Sequence, residues 1–128
     1  MKLLALHRGE QCLVPQVWHA RRWPQRLRGL LGRAPLRPGQ GLLIEPCASV
    51  HTFAMGYPLD LLFLSRGGQV LGWREALPPW RAAAQRGARS TLELPAGSLA
   101  RIAPSAGETL GWRAAGDVPA MPPNGGAG

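Results

Sequence analysis

At 128 residues with 45% apolar content, the chain has room for one modest core, not two, and is too apolar to be disordered throughout. Fifteen Lys and Arg face seven Asp and Glu, a formal charge of +8. Fourteen of the fifteen cations are Arg, which fits either a polyanionic partner, such as nucleic acid or an acidic membrane face, or an Ala/Gly/Pro/Arg coding bias.

The exclusions are clearer. No window approaches the ~20 apolar residues of a membrane span. The opening MKLLALHRGE carries too short an apolar run for a signal-peptide core, so a cytoplasmic location is expected. Cys12 and Cys47 form no C-x-x-C pair and no disulfide framework. Neither a phosphate-binding G-x-x-x-x-G-K-[ST] loop nor a G-x-G-x-x-G turn occurs, and no cofactor is implied.

In chain order, residues 2–6 and 11–18 read as short extended segments around an HRGE turn. In ARRWPQRLRGLLGR, Pro24 suits a first helical turn, and Leu27, Leu30 and Leu31 recur at offsets of three and four. One short amphipathic helix is predicted near 23–32, ending before Pro35 and Pro38. From Gly41 the pattern becomes strand-like. GLLIE is a compact apolar run, and in SVHTFAM alternation places His51, Phe53 and Met55 on one face.

LDLLFLS reads as a strand buried on both faces, turning through Gly67-Gly68 into QVLGWRE. These three strands are expected at the centre of the fold. Residues 81–85 suggest one helical turn, RSTLELP another strand, and Thr109–Trp112 a closing strand. Thirteen Pro and 17 Gly leave little room for long helices. The expected fold is mainly β, a compact sandwich or small barrel spanning 1–113, with a disordered Pro/Gly-rich tail at 114–128.

An ordered set of short motifs carries a family resemblance: RGLLGR at 28–33, PGQGLLI at 38–44, HTFAM at 51–55, PLDLLFL at 58–64, LELPAG at 92–97 and SAGETL at 105–110. Over roughly 17–112 the chain resembles the prokaryotic family called domain of unknown function 192. That resemblance implies a compact β-sandwich and no particular activity. Relatives often carry an export signal, and many have an FWM-type stretch followed by Lys-Asn-Thr. Here HTFAMGYPLD resembles a shorter variant with His-Thr in that place.

The candidate residues follow from polarity in apolar surroundings. A buried ionised Asp60 must be paired, protonated or hydrogen-bonded by main-chain donors, for which the Gly56–Tyr57–Pro58 turn is the nearest source. It reads either as a structural pin or as a pocket carboxylate beside His51. His51 suits a base or ligand near neutral pH, or a satisfied core histidine. The leading functional expectation is a non-catalytic module binding a small ligand or a protein partner. Its cleft would be formed by His51, Thr52 and Asp60, walled by Met55 and Tyr57 and roofed by the Trp80 loop.

Two alternatives stand beside it. Arg21, Arg22, Arg26, Arg28, Arg33 and Arg37, interleaved with Trp18 and Trp23, offer the chemistry of a nucleic-acid-binding accessory domain, or simply a solvated helix face. Cys47, His51 and Asp60 have the residue types of a Cys/His hydrolase, without a matching local signature. Glu45, Cys47 and His51 lack a second close-spaced ligand pair, so no metal is expected.

Overall fold

A computed structural model describes residues 2–20, 35–51, 57–79 and 81–115, with Val50 and His51 described in their backbone only. Its strands are β1 (Lys2–Arg8), β2 (Gln11–Ala20), β3 (Gln40–Ile44), β4 (Ser49–His51), β5 (Leu59–Leu64), β6 (Val70–Leu77), β7 (Ala82–Ala84), β8 (Ser90–Pro95) and β9 (Gly111–Ala114). A single short helix, α1 (Ser98–Ile102), lies between β8 and β9 among the described residues. Seven strands form one mixed sheet in the order β6-β5-β8-β3-β2-β1-β9, while β4 and β7 pair separately. The architecture is mainly β and sandwich-like, as the residue pattern indicates. The helix expected near 23–32 and the tail beyond Ala115 lie outside the described residues.

Strand placement follows from local chemistry. β1 and β2 meet across Gly9, whose φ of 57° closes the turn. Pro15 cannot donate to a ladder, and it falls at the register shift between the Leu4–Val17 and Leu6–Val14 pairs, where no donor is needed. β2 and β3 run parallel, which demands a long connection, and residues 21–39 separate them in the chain.

Two expectations are corrected here. The centre of the sheet is β8-β3-β2, with β5 and β6 at one side and β4 outside the main sheet altogether. Residues 82–84 form a strand, not a helical turn, because pairing of Ser49, Val50 and His51 with Ala84, Ala83 and Ala82 overrides the helical propensity of alanine.

Alternation divides the sheet into two apolar faces. Leu6, Val17, Leu43, Leu62, Leu92 and Leu94 join α1's Leu99 and Ile102 in the main core. Trp18, Leu42 and Ile44 form a cluster on the opposite face, and Leu59, Leu61 and Phe63 form another, against which Ala83 of β7 packs. β5 is buried along its whole length, so both of its faces contribute, each large side chain being worth ~1.5–3 kcal/mol.

The sheet curls around the main core. Residues entering β6 and β9 are stitched together by Val70 N–H to Glu108 O at 2.8 Å, Gly107 N–H to Val70 O at 2.8 Å and Leu110 N–H to Gly68 O at 2.9 Å. Gly68 is required at this seam. Its φ is +88°, and a Cβ there would lie 2.5 Å from the Leu110 carbonyl oxygen. The sheet stays open, but the curl has two distinct ends. α1, carrying Leu99 and Ile102 into the core, plugs one. The Ser65–Gly68 hairpin, the C-terminal ends of β2 and β3 and the start of β1 surround the other.

Candidate functional site

Asp60 sits at the plugged end. Its neighbours Leu59 and Leu61 face the opposite cluster, so alternation turns its side chain toward the main core, beside its register partner Leu94. It is fully buried, and its carboxylate accepts three main-chain hydrogen bonds. Oδ1 takes Ala76 N–H at 2.7 Å, and Oδ2 takes Gly97 N–H at 3.1 Å and Leu99 N–H at 2.9 Å. These donors come from a β6 bulge, where Ala76 has φ 50°, and from the start of α1.

The carboxylate therefore pins three chain segments. Of the two readings the sequence allowed, this is the geometry of the structural pin: the carboxylate is fully buried and has no exposed surface. Nor do its recorded donors come from the turn before it. They are distant in sequence, which local reading has no means of finding.

His51 and Asp60 are also not neighbours in the fold. His51 pairs with Ala82 in the small sheet, whose Ala83 packs on the Leu59–Leu61–Phe63 face. Asp60 points from the other face, so the main sheet stands between the small sheet and the carboxylate. Tyr57 is half-buried against the same cluster as Ala83. Thr52, Met55 and Trp80 fall outside the described residues.

Cys47 is half-buried, and its thiol donates to the Ser49 carbonyl at 2.8 Å. Its own carbonyl accepts from Thr91 Oγ1 at 3.0 Å. Asp60, spent on main-chain donors, is not available to orient a histidine in a Cys47–His51–Asp60 constellation. Of the arginine set, only Arg37 is described. It is exposed in the turn before β3, where its N–H donates to Gln40 Oε1 at 2.8 Å. Arg21, Arg22, Arg26, Arg28 and Arg33 lie outside the described residues. Among the described residues, no cluster of three His, Cys, Asp or Glu could hold a metal ion, and no helix is long and apolar enough to cross a membrane.

What the fold does open is the unplugged end of the curl. A cleft of about 530 Å³ lies there, floored by Leu4, Leu43 and Leu110 and flanked by Trp112. Into it project His19, Glu45 and Lys2. His19 Nε2 lies 3.0 Å from Glu45 Oε1, with the imidazole 11% and the carboxylate 23% exposed. A carboxylate only accepts, so Nε2 carries the proton of this bond. The pair arises because His19 is in register with Leu43 across the parallel β2–β3 ladder, which leaves Glu45, two residues on, on the same face. Lys2 is His19's direct partner across β1–β2.

Arg66 and Gly67 bring the hairpin to the rim, and the buried Ser90 adds a hydroxyl. The sequence reading missed this site. WHARR offered no spacing signal for His19, and Glu45 drew notice only beside Cys47. The approach of these residues is created by sheet register.

The family model for DUF192, described as an uncharacterized ACR, matches residues 5–112. The chain belongs to the DUF192 family. No curated protein matches it significantly. Among solved structures, a Novosphingobium aromaticivorans protein of unknown function superposes with TM-score 0.72 at 20% identity, covering 86% of this chain and 84% of that one. A Sinorhizobium meliloti protein provisionally described as a transcription regulator gives TM-score 0.71 at 25% identity, covering 87% and 92%. The DUF192 match begins at residue 5, so it takes in the second half of β1 and all of β2 as well as the motifs from residue 17 onward.

Proposed function

We propose that this DUF192 chain is a non-catalytic binding module that holds a small molecule in the cleft at the open end of its curled sheet. The carrying observation is the cleft itself: apolar floor, indole flank and convergent polar groups of Lys2 and His19 on strands and Glu45 just beyond β3. Its volume lies within the range of ligand pockets, and the mouth of a curled β-sheet is a recurrent place for one.

Binding is favoured over hydrolysis for a geometric reason. The Cys47 proton is donated to a carbonyl, and Asp60 is consumed by the fold, so a nucleophile, a base and an orienting acid do not converge among the described residues. A small-fragment library titrated into isotope-labelled protein tests the reading. Hits are expected to shift amide signals of His19, Glu45, Arg66–Gly68 and Leu110–Ala114 together. Hits that perturb only other regions, or no hits at all, would overturn it.

A further inference from the structure

Resting on that cleft reading, we infer that the ligand is a small organic anion with a flat apolar body. Its charged group would lie at the Lys2 and Arg66 side, and its body against Trp112 above the buried leucine floor. The argument begins with a charge count at the mouth. The charged side chains lining it are Lys2, Glu45, Arg66 and Arg113, with His19 as the titratable neighbour. Glu45, the carboxylate of the set, is engaged by His19. Arg113 is spent elsewhere: its guanidinium donates to Gly9 O at 3.1 Å and Glu10 Oε1 at 3.2 Å, at the β1–β2 turn. Lys2 and Arg66 are exposed and form no ion pair among the described residues.

The uncompensated charge at the mouth is therefore positive, and the chain as a whole, at +8, reinforces it. The cleft walls decide the rest. The half-buried Trp112 gives one side a planar apolar wall that an inorganic anion would leave wet, above a floor of the buried Leu4, Leu43 and Leu110. A solute matching both halves carries a carboxylate, sulfonate or phosphate on an aromatic or similarly flat frame. The His19–Glu45 pair adds direction. Glu45 fixes the imidazole and repels a second anion placed beside it, so the ligand's charge belongs on the Lys2 and Arg66 side.

The test uses two fluorescent probes of nearly the same shape. 1-Anilinonaphthalene-8-sulfonate carries the charge, and N-phenyl-1-naphthylamine is its neutral analogue. Each is titrated into the full chain and into the doubly substituted Lys2→Gln, Arg66→Gln protein, with amide-shift mapping to locate the probe. Both substituted side chains are exposed, so the variant keeps the fold, and circular dichroism checks this.

The expected result is that the sulfonate binds about ten-fold or more tightly than the neutral probe. Losing the two cations should weaken it about ten-fold while leaving the neutral probe unchanged, and rising salt should act likewise. Equal binding of both probes inside the cleft overturns the anion assignment and leaves the cleft reading standing. Sulfonate binding that maps elsewhere, or is indifferent to the double substitution, overturns the anion assignment at this cleft. Binding of neither probe overturns both.

Discussion

Replacing Asp60 tests the claim that the carboxylate serves the fold and not a ligand. Asp60→Ala removes the acceptor for three main-chain N–H groups: Ala76 at 2.7 Å, Gly97 at 3.1 Å and Leu99 at 2.9 Å. An orphaned buried donor costs ~1–3 kcal/mol, which sets a ceiling of ~9 kcal/mol for three. The start of α1 and the β6 bulge can shift to reach water, so the expected loss is about 3–5 kcal/mol. Asp60→Asn is informative because it conserves shape. Its oxygen can still accept from Gly97 and Leu99, but its NH₂ then meets the Ala76 N–H donor to donor, and about 2–4 kcal/mol should go.

Urea unfolding followed by the fluorescence of the five tryptophans gives the midpoint and slope for each variant. Native-state amide exchange should show the Ala76, Gly97 and Leu99 protons losing protection first, ahead of Leu62 in the centre of β5. A loss below about 1 kcal/mol in Asp60→Ala, with unchanged exchange at these three amides, would refute the assignment.

Other consequences are simpler to state. Glu108 is held below the usual carboxylate range, first by its hydrogen bonds from Arg8, at 2.8 and 3.0 Å, and further by the Ser105 N–H and the Arg8 charge, with burial opposing. A lowered folded-state value means the stabilisation is complete above the ordinary carboxylate range and is lost as pH falls through the lowered value. Glu108→Gln should therefore cost about 1 kcal/mol near pH 7, given the partial exposure of Arg8, and the gap from the parent should close as pH falls below the ordinary carboxylate range in thermal melts. A gap that is constant with pH would contradict this. Gly68→Ala forces a Cβ toward the Leu110 carbonyl at a φ of +88° and should cost about 2 kcal/mol or more, opening the seam between β6 and β9. An unshifted urea midpoint would remove that role.

The sequence disclosed what depends on period and on punctuation. Alternation, apolar runs and glycine turns located β1, β2, β3, β5, β6 and β8 closely, and the uninterrupted LDLLFL announced a strand with no polar face. The failures share one cause: pairing partners are not written locally. AAA reads as helix until Ser49–His51 lies beside it. Asp60 reads as anomalous until Gly97 and Leu99, nearly forty positions on, arrive with their N–H groups. His19 reads as an isolated imidazole in an arginine-rich run. Only the parallel β2–β3 register, which no hydrophobic pattern encodes, sets Glu45 within 3.0 Å of it.

That contrast bears on where function can lie in this fold. A polar group in the core must be satisfied by the chain itself, so its chemistry is exhausted at folding, and Asp60 illustrates the limit with three donors on two oxygens. A group at the mouth of the curl faces no such demand. Lys2 and Arg66 keep their charge exposed to solvent, while the strands behind them hold the His19–Glu45 pair and the leucine floor. The pinning at the α1 end supports that arrangement, since fastening β5, β6 and β8 together there keeps the register along which the Ser65–Gly68 hairpin is carried to the cleft. The carboxylate at the α1 end is consumed by folding, whereas the charges of Lys2 and Arg66 at the mouth are not.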